Sequence, residues 1–202
     1  MVKKKNIFVF CIILVVVVIG VYFLISKLFN NEKGEITVVD KITSYNYSLE
    51  SNESNFYKRK FKELKTLLLK EEKNDSKYAE LVATLFVSDF YHLDNKITNQ
   101  DIGGIQFIHS SIVDNFSLKA KDTIYKYVES NVYNDRRQLL PVVEEVIIKN
   151  VESKRFSKED IDDLTAFYVL VEIIYKKDLG YPNEVTLVLV HEGEKLSIIE
   201  VN

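Results

Sequence analysis

Nineteen consecutive residues without a charge, Ile7 to Ile25 (IFVFCIILVVVVIGVYFLI), constrain this chain more than any other stretch. At about 1.5 Å of rise per residue, a helix of that length covers roughly 28 Å, close to the hydrocarbon thickness of a bilayer. The valines at 15 to 18 are poor helix formers in water. In lipid an unpaired backbone group costs several kcal/mol, so helix is the spanning option. Lys3, Lys4 and Lys5 precede the run and only Lys27 closely follows it. The positive-inside bias then predicts a cytoplasmic tail over 1–6, a transmembrane helix over 7–28 and an exported remainder. The run is too long for a signal-peptide core, and Gly20-Val21-Tyr22-Phe23 offers no small-x-small cleavage site, so an uncleaved anchor is expected. Cys11 sits inside the run behind bulky Phe10, which argues against a lipidated cysteine.

Beyond the anchor, 29–35 reads as a short polar linker and 36–202 as one extracytoplasmic domain large enough for its own core. Lys3, Lys4, Lys5 and Lys27 are the only charges in residues 1–28, leaving 23 basic against 30 acidic residues after them, a net of −7. An acidic balance disfavours nucleic acid and anionic lipid as partners. The single cysteine, Cys11, lies in the apolar run, so the domain has no disulfide to rely on and its stability must come from packing. Lysine far outnumbers arginine, and asparagine, isoleucine and tyrosine are plentiful, the bias of an AT-rich bacterial genome. In such a chain the Asn-x-Ser matches at Asn46, Asn52, Asn74 and Asn115 read as chance.

Periodicity organises the domain. Ile36 to Leu49 alternates like a strand, with the phase broken around Val39 to Thr43, where a bulge, bend or turn is expected. Tyr57, Phe61, Leu64 and Leu68 share one helical face between Ser54 and Lys73. Asn74-Asp75-Ser76 breaks that helix and caps a second, about Lys77 to Tyr91, with Tyr78, Leu81, Val82, Leu85 and Phe86 at helical spacing. Asn95 to His109 is turn-rich, with Gly103-Gly104 read as a turn. A third helix is predicted over Ser117 to Ser130, burying Leu118, Ile124, Tyr125 and Val128. After Pro141 come four predicted strands: Val142 to Val151, Ala166 to Tyr175, Glu184 to His191 and Leu196 to Val201. The second is apolar on both faces, as a central strand would be. The predicted class is α+β: about three helices packed on a curved antiparallel sheet of four or more strands.

That order of elements is similar to the nuclear transport factor 2-like fold, a cone of curved sheet closed by N-terminal helices. With a single N-terminal span it looks like the membrane-anchored scaffold subunits of bacterial conjugation and type IV secretion machines. The stretches DFYHLDNKI (89–97), DIGGIQFIH (101–109), KAKDTIYKYVE (119–129) and KKDLGY (176–181) resemble uncharacterised single-span proteins of low-GC Gram-positive bacteria. The resemblance implies a membrane-anchored binding or scaffolding protein of the cell envelope with protein partners. It carries over no functional residue.

Candidate chemistry is sparse. His92, His109 and His191 lack metal-ligand spacing. Glu159-Asp160-Ile161-Asp162-Asp163 lacks the glycine and the alternation of a calcium loop and reads as a solvated hairpin excursion. Asp89, Tyr91, His92 and Asp94 gather acid–base groups around the end of the second helix, the one region an enzyme reading would use. Tyr125 and Tyr127 flank Lys126 on the predicted third helix and offer an aromatic interface as the alternative to core packing. No catalytic, cofactor-binding or metal-binding residue is assigned from sequence. Binding or scaffolding is the leading expectation, and a ligand-binding sensor domain with an apolar pocket is the alternative.

Overall fold

The computed structural model describes residues 19–20 and 36–202. Among them no helix is long and apolar enough to cross a membrane. The predicted span, its cytoplasmic tail and the linker lie outside the described residues, apart from Ile19 and Gly20. Val38–Asn202 forms one compact unit.

The domain opens with a hairpin, β1 (Val38–Ile42) against β2 (Tyr47–Glu50), so the break in phase is a turn. The break falls at Thr43–Tyr45, slightly later than periodicity suggested, and Asn46 closes it at φ 53°, a left-handed conformation asparagine tolerates. A register shift between Val38 and Asp40 supplies the expected irregularity. Helix α1 (Asn55–Leu68) starts where the Ser54 hydroxyl accepts the Tyr57 N–H at 3.1 Å. It stops five residues short of the predicted Lys73, because the apolar stripe ends at Leu68 and exposed Leu69 is the C-cap. Asn74 caps α2 (Asp75–Phe90), its side-chain oxygen accepting the Lys77 N–H at 2.8 Å.

Helix α2 is the axis of the domain. From Leu81 to Phe90 every residue is buried, including Thr84, Ser88 and Asp89. A helix buried all round has neighbours on every side. Here they are α1, the strands Val143–Ser153, Phe167–Tyr175 and Lys195–Val201, and the loop around Ile105–Phe107.

The third helix, α3 (Val113–Asp122), begins four residues earlier than predicted and ends eight earlier. Ile124, Tyr125 and Val128 do face the core, but from a chain of turns, and Leu118 is 61% exposed rather than buried. The reason is Tyr125. Its hydroxyl donates to the Phe90 carbonyl at 2.7 Å and accepts the Gly103 N–H at 3.0 Å, and a continued helix would leave both without a partner.

The main sheet runs in the order β3 (Val143–Ser153), β6 (Phe167–Tyr175), β7 (Glu184–Glu192), β8 (Lys195–Val201), all antiparallel. Each strand falls within two residues of its predicted bounds. Register shifts at Val143/Glu145, Ile148/Asn150 and Val188/Leu189 are bulges, which bend and twist a sheet. Val169, Val171, Leu187, Leu189 and Ile198 face the main core under α2. The opposite face has a small core of its own, where Phe156, Ala166, Val188, Val190 and Ile199 pack together. The acidic excursion between β3 and β6 is a hairpin, β4 (Phe156–Lys158) with β5 (Ile161–Asp163), as expected. It is more than a solvated loop, since it carries Phe156 into that second core. The outer edge of β8 is covered where His109 N–H donates to the Ile198 carbonyl at 2.9 Å.

Candidate functional site

Three features stand out among the described residues: a polar cavity, an apolar cleft and a clamped loop. The polar cavity, about 140 Å³, opens beside the C-terminal half of α2. Glu50 and Glu53 reach it from β2 and the turn after it, Asp89 from α2, and Lys96 and Asp101 from the following loop. Asp89 and Lys96 form a salt bridge with both side chains almost wholly buried. The second Asp89 oxygen accepts the Gly104 N–H at 2.6 Å. Burial alone would depress the Lys96 ammonium, but the charges of Asp89 and Glu53 and the Asp89 hydrogen bond hold it above its ordinary value. Glu53 has no such partner. Burial first, then the neighbouring Asp89 charge, pushes its carboxyl up to about 8 against the opposing pull of Lys96. Glu50 is raised for the same two leading reasons, burial and then Asp89.

The glycine pair is part of this construction. A Cβ on Gly103 would lie 2.5 Å from both the Asp89 carbonyl oxygen and its carboxylate. Gly104 sits at φ +73°, and a Cβ there would meet the Phe86 ring at 2.6 Å. The pair does make a turn, as the sequence suggested. Its second role, close approach to the end of α2, had no local signal.

The apolar cleft, about 480 Å³, lies between α3 and the ends of β7 and β8. Phe90, Phe116, Ile124, Val185, Ile199 and Val201 form its walls, with Lys119 and Thr123 at the rim. Its volume is within the range of small-molecule sites.

The loop after Tyr125 carries four strongly exposed apolar residues: Tyr127 (74%), Val132, Tyr133 (86%) and Leu139. It is nevertheless tied down. Arg136 donates to the carbonyls of Asp94 at 2.6 Å, Lys96 at 2.8 Å and Glu129 at 3.2 Å. Gln138 bridges the Tyr127 carbonyl at 2.7 Å and the Glu129 N–H at 2.9 Å. Asn131 N–H donates to the Ile97 carbonyl at 2.7 Å.

The remaining residues singled out by sequence fall as follows. Asp89 is the anchor of the polar cavity. Tyr91 is buried, its hydroxyl pushed up to about 12 by burial, and His92 is buried with its imidazole pushed down, by burial above all. Asp94 is exposed, and no side-chain hydrogen bond joins any two of these four. Tyr125 and Tyr127 do not share a helix: Tyr125 is core and Tyr127 surface. His191 Nδ1 lies 2.8 Å from Asp163, Asp162 pairs with Arg155 through two contacts of 2.8 Å, and His109 Nδ1 lies 2.8 Å from the Ser111 hydroxyl. Among the described residues no three His, Cys, Asp or Glu side chains converge as metal ligands do. Sequence reasoning missed Lys96, Glu53 and Arg136. Lys96, seven residues after Asp89, was readable only as one of many lysines.

No protein-family model, no curated protein and no solved structure matches this chain.

Proposed function

We propose that this protein is a membrane-anchored, extracytoplasmic binding or scaffolding protein that engages another protein of the cell envelope through the loop 127–139. The clamped loop carries this reading. Tyr127, Val132, Tyr133 and Leu139 stand in solvent on a backbone held by Arg136, Gln138 and Asn131. A solvent-facing apolar and tyrosine-rich patch is the composition of an interface core, and a loop ordered beforehand loses little entropy on binding. The uncharged run over Ile7–Ile25 and the Lys3–Lys5 cluster support the anchor and its orientation. Three helices followed by an antiparallel meander support the likeness to nuclear transport factor 2-like cones and to conjugation scaffold subunits. Confinement near a membrane raises the effective concentration of other tethered proteins, which favours this role.

Site-specific photocrosslinking in cells tests it. A photoreactive residue at Tyr133 should give a discrete adduct with a second protein, and one at Leu164, exposed on the β4–β5 side, should not. Equal labelling from both positions, or from neither, overturns the reading. A second reading, a sensor that holds a small apolar ligand, is favoured by the 480 Å³ cleft. It predicts a co-purifying small molecule displaced by Ala120→Phe, with the Tyr133 adduct unchanged.

A further inference from the structure

We infer that the polar cavity beside α2 is a binding site for a small organic cation, a guanidinium or primary ammonium group. Four carboxyl groups, Glu50, Glu53, Asp89 and Asp101, line the cavity with one ammonium, Lys96, among them. Lys96 is committed to Asp89, and Asp101 accepts the Ile97 N–H at 3.0 Å. That leaves the carboxyls of Glu50 and Glu53 facing the space. Glu53 is the independent observation: it is 9% exposed, borders the cavity, and no described residue donates a hydrogen bond to its carboxyl. Buried carboxyls normally have hydrogen-bond donors, and one without protein donors keeps a proton or takes its donors from what fills the cavity, water or a guest.

The shape of the site selects the guest. No three acidic side chains converge as metal ligands do among the described residues. The walls instead offer the two carboxyls of Glu50 and Glu53 across a space of about 140 Å³, while the Gln106 amide is already committed to Ser48 and Tyr57. Two carboxyls facing one space suit a planar guanidinium or a short alkylammonium, each of which donates several hydrogen bonds in different directions. Binding such a cation replaces the proton that Glu53 otherwise keeps near neutral pH, so uptake of the cation releases a proton to solvent. The guest has two conceivable sources, a free small amine or the side chain of an arginine or lysine in a partner protein. The chemistry recognised is the same.

The test is isothermal titration of the full-length chain in detergent at pH 7 with methylguanidinium, repeated in two buffers of different ionisation enthalpy. Saturable binding with proton release, weakened about tenfold by Glu53→Gln, is the expected result. Glu50→Gln, more exposed and safer for folding, should weaken it in the same direction. A blocked tripeptide with central arginine distinguishes the sources: tighter binding than methylguanidinium points to a partner side chain, weaker binding to a free amine. No saturable heat with the wild type, equal binding by Glu53→Gln while folded, or a stronger response to calcium chloride than to methylguanidinium each overturns the proposal.

Discussion

The polar cavity and the apolar cleft lie on two sides of the same helix end and are built on opposite principles. Phe90, the last residue of α2, lines the cleft, and Asp89, one residue earlier, anchors the cavity. In the cavity Asp89 is held by Lys96 and Gly104 and Asp101 by Ile97, with the carboxyls of Glu50 and Glu53 left facing the space. In the cleft the inner walls are apolar side chains, and directional bonds sit among exposed and half-buried lining residues, the Thr123 hydroxyl on the Lys119 carbonyl at 2.7 Å and Lys158 on Glu200 at 2.9 Å. The contrast teaches where stability and binding separate. Buried charge makes a region stiff and intolerant, because removing one partner strands the other. An apolar wall tolerates change at its rim, because any polar group freed there is exposed and finds water.

Lys96→Met breaks the comparison at its strongest point. It leaves the Asp89 carboxylate buried without its cation, and chemical denaturation should register a loss of about 3–5 kcal/mol. A double change, Lys96→Met with Asp89→Leu, should recover a good part of that loss, since the stranded charge goes as well. If the double variant is no more stable than the single, the cavity is not organised by that pair.

Gly103→Ala comes next. Its Cβ would press on the backbone oxygen of Asp89 at 2.5 Å, and backbone cannot swing aside as a side-chain tip can. A loss of about 2–3 kcal/mol is expected from such overpacking. A melting temperature equal to wild type would show that the turn relaxes freely.

Glu53→Gln sharpens the electrostatic half. The native state keeps the Glu53 proton up to about pH 8, whereas the unfolded chain releases it near 4.5. Between those values the unfolded state binds fewer protons, so wild-type stability falls as pH rises and levels off above about 8. The glutamine variant should lack most of that slope and gain on the order of 1–3 kcal/mol relative to wild type at the alkaline end. Parallel pH–stability curves for the two proteins would refute it. At the small end, Lys119→Ala with Thr123→Ala at the cleft rim should change stability by no more than about 0.5 kcal/mol. A larger loss would mean the rim is structural and the contrast between the two regions weaker than drawn.

Much of the fold was legible in the chain. The Tyr57, Phe61, Leu64, Leu68 stripe, the Asn74 cap and the four strands after Pro141 all appear within a few residues of their predicted places. The candidate sites were far less so. Asp89 and Asp94 look alike as sequence, yet one is 7% exposed and the other lies at the surface. Tyr125 and Tyr127 look like a pair, and only one is in the core.

The dividing line is the distance over which each signal acts. Helix and strand periods, caps and the uncharged run at 7–25 are written in neighbours a few positions apart, so the sequence alone determined the α+β order of this domain and the expectation of an anchor before it. Three things waited for tertiary structure: that Lys96 reaches Asp89, that Tyr125 ends a helix early, and that Phe156 seeds a second core behind the sheet. Each depends on side chains meeting across loops whose path no local pattern encodes. A buried charge has meaning only through the group it meets, and packing alone chooses that group.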